Sequence, residues 1–160
     1  MQVFIMRHGD AALDVASDPV RPLTHRGCDQ SRQMAGWLEC YSSEIERVLV
    51  SPYLRAGQTL AIVSEILTLP PEAETLPELA PEGDPQWIVR YLQALAAEGV
   101  KSVMLISHLP LVGYLVAELC PQEPPPMFAT SAIACVDYDA DGAWGKLLWQ
   151  VSPAKLAKVM

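Results

Sequence analysis

Strand-like and helix-like runs alternate along these 160 residues, which predicts an α/β fold: a three-layer α/β/α sandwich around a mostly parallel central sheet. Two further observations support this class. The clearest strand signals are continuously apolar, as in strands covered on both faces. They also run into polar residues at or just beyond their ends, where open α/β sheets gather ligand-binding groups at the carboxyl ends of their strands. The length suits one domain, 1–160, with room for a substantial core.

The elements follow in order. "QVFIM" reads as the first strand and leads into Arg7, His8 and Gly9. "PLTHRGCDQSRQMAGWLECY" starts a helix capped by Thr24, with Met34, Trp37, Leu38 and Tyr41 at helical spacing. "RVLVS" (47–51) is a second strand, and "YLRAGQTLAIVSEIL" (53–67) a second helix with Leu60, Val63 and Leu67 on one stripe. Gly57 inside that helix costs up to about 1 kcal/mol relative to Ala, and close packing is one reason to keep it.

The proline-rich "LPPEAETLPELAPEGDP" (69–85) is a loop with room for one short strand. Asp84 followed by Pro85 starts a third helix that runs to Gly99. "SVMLIS" (102–107) is the strongest strand; it precedes His108 and a helix from Leu111 to Leu119. "AIACVDYD" and "GKLLWQVS" flank "ADGAWG" as a hairpin.

Composition narrows the function. Apolar residues make up 51% of the chain and charged ones 19%, a globular balance. A net charge of −8 argues against a broad nucleic-acid-binding face, while leaving room for a small cationic pocket. The first apolar run meets Arg7 too soon for a secretory signal. The apolar stretch 103–120 is interrupted by His108 and Pro110, so it predicts a strand, a loop and a helix rather than a membrane span. The four cysteines show no close-spaced pair of the zinc or redox type. A cytoplasmic monomer without metal or cofactor is expected.

Three strands deliver Arg7, His8, Arg55 and His108 to one sheet edge. Taken singly, each has a bland reading. Arg-His-Gly arises by chance in about one chain in a hundred of this length. His108 could be a core or loop histidine, Arg55 a surface helix residue and His25 a structural one. A metal site from His8, His25 and His108 is opposed by the neighbouring arginines. Together the residues suit a phosphoryl group. Guanidinium forks match its oxygens, a neutral histidine can attack phosphorus, and a second histidine can stabilise the transferring charge.

"MRHGD", "SPYLRAGQT" (51–59) and "LISHLP" (105–110) resemble, in order and spacing, the signature set of the histidine phosphatase superfamily, which has a phosphoglycerate mutase-like fold. The resemblance implies that His8 is the nucleophile, that Arg7 and Arg55 hold phosphoryl oxygens and that His108 completes the pocket. "RPLTHRG" (21–27) makes Arg21 a further phosphate contact by the same resemblance.

The short length, "SDPVRPLT" (17–24), "LPELAPEGDP" (76–85), "ISHLPLVGYLVAELC" (106–120) and "PPPMFATSAIACV" are most similar to the small bacterial phosphohistidine phosphatases. These act on histidines of protein carriers such as the phosphotransfer domains of hybrid sensor kinases. Other branches use a dedicated acidic proton donor; here Asp18, Glu78 and Glu82 are the candidates. A phosphohistidine needs less acid help, because imidazole has a pKa around 6.5 against 15.7 for water. The chain lacks Asn altogether, which argues against mutase activity. Two alternatives stay open: a small-molecule phosphomonoesterase, and a non-catalytic phosphohistidine-binding module. "PPPMF" (124–128) reads either as a contact surface or as a packed loop.

Overall fold

The computed structural model describes residues 1–41 and 44–159. Strands β1 (Gln2–Arg7), β2 (Arg47–Val50), β3 (Glu74–Thr75), β4 (Ser102–Ser107), β5 (Ile133–Asp139) and β6 (Trp144–Val151) form one sheet in the order β3-β2-β4-β1-β5-β6. The first four in that order pair in parallel; β5 runs antiparallel to β1, and β6 antiparallel to β5. The sheet is therefore mixed, with an antiparallel hairpin on one edge.

Helices α1 (His25–Tyr41), α2 (Leu54–Ile66), α3 (Pro85–Ala97), α4 (Leu111–Leu119) and α5 (Pro153–Val159) cover both faces. The continuously apolar strands divide their side chains between two cores. Val3, Ile5, Val103 and Leu105 pack with Ile88, Leu92, Leu115 and Val116 of α3 and α4. Phe4, Met6, Met104 and Ile106 pack with Met34, Leu38 and Val63 of α1 and α2, and with Leu156 of α5. A strand with both faces covered has no position left for a polar residue, so the side chains that carry chemistry fall at its ends.

The expected caps are present. Thr24 Oγ1 accepts from the Gly27 N–H (3.0 Å), and Asp84 from that of Gln86 (2.9 Å). Gly99 ends the α3 turn in the left-handed region (φ 91°) that a residue with Cβ rarely adopts.

The four α1 residues read at helical spacing all fall in the helix; Met34 and Leu38 are buried, while Trp37 and Tyr41 stack on each other and meet Trp149 of β6 edge-on. Gly57 is exposed, and a Cβ there would meet nothing within 4 Å, so close packing does not account for it. The 69–85 loop also holds a short 3-10 turn, Pro77–Leu79. Helix α5 is too short to show a periodic stripe in the sequence; it docks through the buried Leu156. In the "PPPMF" patch Phe128 packs into the core, as in a packed loop, while Met127 is exposed.

Candidate active site

The parallel strands β1, β2 and β4 end together. His8, one residue beyond β1, donates its backbone N–H to Ser107 O at the end of β4 (3.0 Å), and Ser51, just past β2, donates to Ile106 O (3.1 Å). Between them lies a cavity of about 440 Å³ lined by Arg7, His8, Asp10, Ala11, Leu13, Asp18, Arg21, Arg55, Pro81, His108, Leu109 and Thr130. The structure thus brings together all five site residues read from the sequence. Grooves of about 640 and 670 Å³ lie elsewhere, but neither gathers histidines and arginines. Chemistry singles out the smaller cavity.

Two glycines let the loop after β1 close on α1. A Cβ on Gly9 would stand 2.9 Å from Gly27 O, and one on Gly27 only 2.2 Å from Asp10 O. Thr59 ties the loop to α2: its hydroxyl accepts from the Gly9 N–H (3.0 Å) and donates to Arg55 O (2.8 Å). Ser131, in the left-handed region at φ 65°, donates its N–H to His8 O (3.0 Å).

The His8 ring has one assignable tautomer. Its Nδ1 lies 2.7 Å from Gly9 O, and a carbonyl can only accept, so Nδ1 carries the hydrogen. Its Nε2 accepts from Arg55 Nε (3.2 Å) and holds the lone pair. Burial chiefly, together with Arg55, Arg7 and Arg21, pushes the His8 pKa down to about 4, although the Gly9 carbonyl works the other way. Neutral His8 is the resting form.

His108 lies against it, ring centroids 5.0 Å apart. Its Nε2 pairs with Ser51 Oγ (2.7 Å), which also accepts from the Tyr53 N–H (3.2 Å). Burial, then His8 and Arg55, push the His108 pKa down to about 3. Its Nδ1 has no partner, and neither does Arg7 Nε. These are two of the three buried side-chain nitrogens left unpaired among the described residues. Buried polar atoms are normally satisfied, so two orphaned nitrogens on residues that line one cavity fit a place built for a polar ligand.

The arginines are held by backbone carbonyls and by the Asp18 carboxylate. Arg7 donates to Phe128 O (2.8 Å). Arg21 donates to Ala12 O (2.7 Å) and to Asp18 Oδ1 (3.0 Å). Arg55, in the first turn of α2, donates to Asp18 O (2.8 Å) and Asp18 Oδ2 (3.3 Å), with Tyr53 packed under its guanidinium at 5.0 Å. Burial and then Arg55 lower the Arg7 pKa, as like charges crowd one space.

Of the acid candidates, Glu78 and Glu82 do not line the cavity. Asp18 does, but its hydrogen bonds from Arg21 and then Arg55 hold its carboxyl below the usual range. It is ionised and has no proton to give. His25 opens α1 at an exposed position away from the cavity. Ser51, Tyr53 and Thr59 were not singled out from the sequence, although all three sit inside the quoted 51–59 stretch.

Known proteins resemble this chain in sequence and in fold. Residues 3–80 match the model of the histidine phosphatase superfamily, branch 1. Phosphohistidine phosphatase SixA of Escherichia coli (strain K12) is 67% identical over 156 residues, covering 98% of this chain and 96% of that protein. The chain belongs to the histidine phosphatase superfamily. A second member, the SixA homolog of Haemophilus influenzae (strain ATCC 51907 / DSM 11121 / KW20 / Rd), is 39% identical over 160 residues, covering 96% of this chain and 97% of its own. A solved structure of the protein histidine phosphatase SixA complexed with tungstate superposes at a TM-score of 0.95, with 66% identity across 98% of this chain and 99% of that one. The α/β sandwich with a central mixed sheet is thus the architecture of the SixA structure as well.

Proposed function

We propose that this chain is a phosphohistidine phosphatase, removing phosphoryl groups from histidines of protein carriers through a covalent intermediate on His8. The observation that carries the proposal is the His8 ring: neutral, lone pair on Nε2, in a cavity with three arginines. The Nε2 lone pair forms a bond to phosphorus. The bond from phosphorus to the substrate imidazole breaks, and its electron pair stays on that ring. Water then attacks phosphorus, orthophosphate leaves and His8 returns to its neutral form.

Arg7, Arg21 and Arg55 neutralise a phosphoryl charge of about −2. Burial chiefly holds His108 neutral, and a phosphoryl dianion beside it works against that and favours the protonated ring when substrate binds. Ser51 Oγ serves both states, donating to the neutral ring and accepting from the charged one. The unpaired Nδ1 then supplies an N–H to a phosphoryl oxygen.

Support comes from the similarity to the SixA proteins and from the tungstate complex, tungstate being an oxyanion like phosphate. The ionised Asp18 supports a substrate whose leaving group needs no acid. Phosphotransfer domains of hybrid sensor kinases are the carriers proposed, with the enzyme acting as a monomer. Its four free cysteines fit the reducing cytoplasm, and among the described residues no helix is long and apolar enough to cross a membrane.

The test is incubation with a panel of labelled phosphohistidine proteins. Wild type releases label and, on rapid quenching, carries an acid-labile phosphoryl group; His8→Ala does neither. Wild-type turnover by His8→Ala would refute the mechanism.

A further inference from the structure

A carboxylate is a poor choice for a site whose sole task is to hold a dianion, yet Asp18 lines this one. It bridges Arg21 (3.0 Å) and Arg55 (3.3 Å), cancelling part of the positive charge that a phosphoryl group would otherwise meet. It also stands at the open side. Its side chain is 51% exposed, whereas His8 retains 6% at the cavity floor. Asp10, the other carboxylate of the lining, is tied to Thr24 Oγ1 (2.7 Å), which itself caps α1. Among the described residues the Asp18 carboxylate is partnered by arginine side chains alone, with a face turned to solvent.

Resting on the functional reading above, we propose that Asp18 is a specificity-determining residue: its carboxylate accepts the ring N–H of the incoming phosphorylated imidazole, selecting phosphohistidine over phosphate esters. The two imidazoles in the reaction have mirrored needs. On the enzyme, Gly9 O takes the Nδ1 hydrogen of His8 (2.7 Å), which makes Nε2 the reacting nitrogen. On the substrate, one nitrogen bears phosphorus and the other the proton, and this cationic ring is the form that leaves easily. Gly9 O serves the first ring at the floor, and Asp18 the second at the mouth.

The step balances without a proton from Asp18. His8 Nε2 bonds to phosphorus, and the phosphorus–nitrogen bond of the substrate breaks. Its electron pair remains on the ring nitrogen, and the substrate departs as neutral imidazole, keeping the N–H that Asp18 accepts. An ester has no such N–H. Its departing oxygen gathers negative charge beside a carboxylate that repels it and cannot protonate it.

The experiment compares the full-length wild type, Asp18→Asn and Asp18→Glu on a labelled phosphohistidine carrier protein and on p-nitrophenyl phosphate, a good leaving group without a ring N–H. Asp18→Asn is expected to lower the ratio of the two kcat/KM values by about tenfold, the worth of one charge-assisted hydrogen bond, with turnover of the ester rising as the repulsion goes. Asp18→Glu recovers most of the ratio. Orthophosphate inhibits Asp18→Asn more tightly than wild type.

Equal losses on both substrates would show that Asp18 merely holds Arg21 and Arg55, and would overturn the inference. An unchanged ratio would overturn it too. Wild type that leaves phosphohistidine untouched while hydrolysing the ester refutes the functional reading instead.

Discussion

The two sides of the sheet are built on opposite terms. Where β1, β2 and β4 end, His8, Arg55 and His108 are buried, like charges crowd together, and Arg7 Nε and His108 Nδ1 go unpaired. The β5–β6 hairpin and α5 behind it follow ordinary economy: Ile133 to Val136 are buried, while β6 turns Trp144 and Leu148 outward. The hairpin's one unpaired nitrogen, Trp149 Nε1, is a neutral indole inside an aromatic cluster. Charged and ionisable groups with unmet polarity gather where a ligand must supply the missing partners. Damage at the strand ends should therefore cost activity, and damage behind the hairpin should cost stability.

The sharpest way to break this contrast is at Arg55, which touches both His8 and Asp18. Arg55→Ala should lower kcat/KM on a phosphohistidine carrier by about 10²–10³-fold, the loss typical of one transition-state donor, with circular dichroism unchanged. Leu156→Ala should do the reverse. Emptying that buried site behind the hairpin is expected to cost about 2 kcal/mol or more in urea unfolding, with kcat of the folded enzyme unaltered.

Acid should discriminate between the regions as well. His8 and His108 titrate at about 4 and about 3 when folded, against an ordinary 6.5. Between these values the unfolded chain binds more protons, so stability rises with pH there. The contribution of the neutral rings is complete above pH 6.5 and is lost as pH falls through about 4 and then about 3. Asp18, also depressed, acts in the same direction at the acid end. Unfolding free energies measured from pH 7 to pH 4 check the slope, which should flatten in His8→Ala.

Ser51→Ala removes the partner of His108 Nε2 and should slow turnover about tenfold, in line with the cost of one unmet buried hydrogen bond. The smallest effect is expected at Gly57. Gly57→Ala fills empty space on an exposed helix face and should stabilise the fold by about 0.5–1 kcal/mol with activity unchanged, read by thermal unfolding.

Legibility in the sequence followed the same division. The apolar runs at 2–6 and 102–107 disclosed buried strands because both faces demand the same residue class, and Arg7, His8 and His108 stood out against them. Thr24 and Asp84 announced helix starts because capping is local chemistry. Phe128 O, which orients Arg7, left no signal, since any residue offers a carbonyl. The helix α5 escaped because seven residues hold too few turns to display a period.

Composition and order alone thus determined the strand–helix alternation, the two-sided burial of the sheet, and the residues that meet at its carboxyl edge. Only the tertiary structure decided their chemical states. Arg55 reaches His8 across 47 positions and Ser51 reaches His108 across 57. Which nitrogen of His8 keeps its lone pair, why both histidines rest neutral and why Asp18 has lost its proton all depend on distances and burial. Both are set by the fold, because charge interactions weaken with separation in space and strengthen as water is excluded.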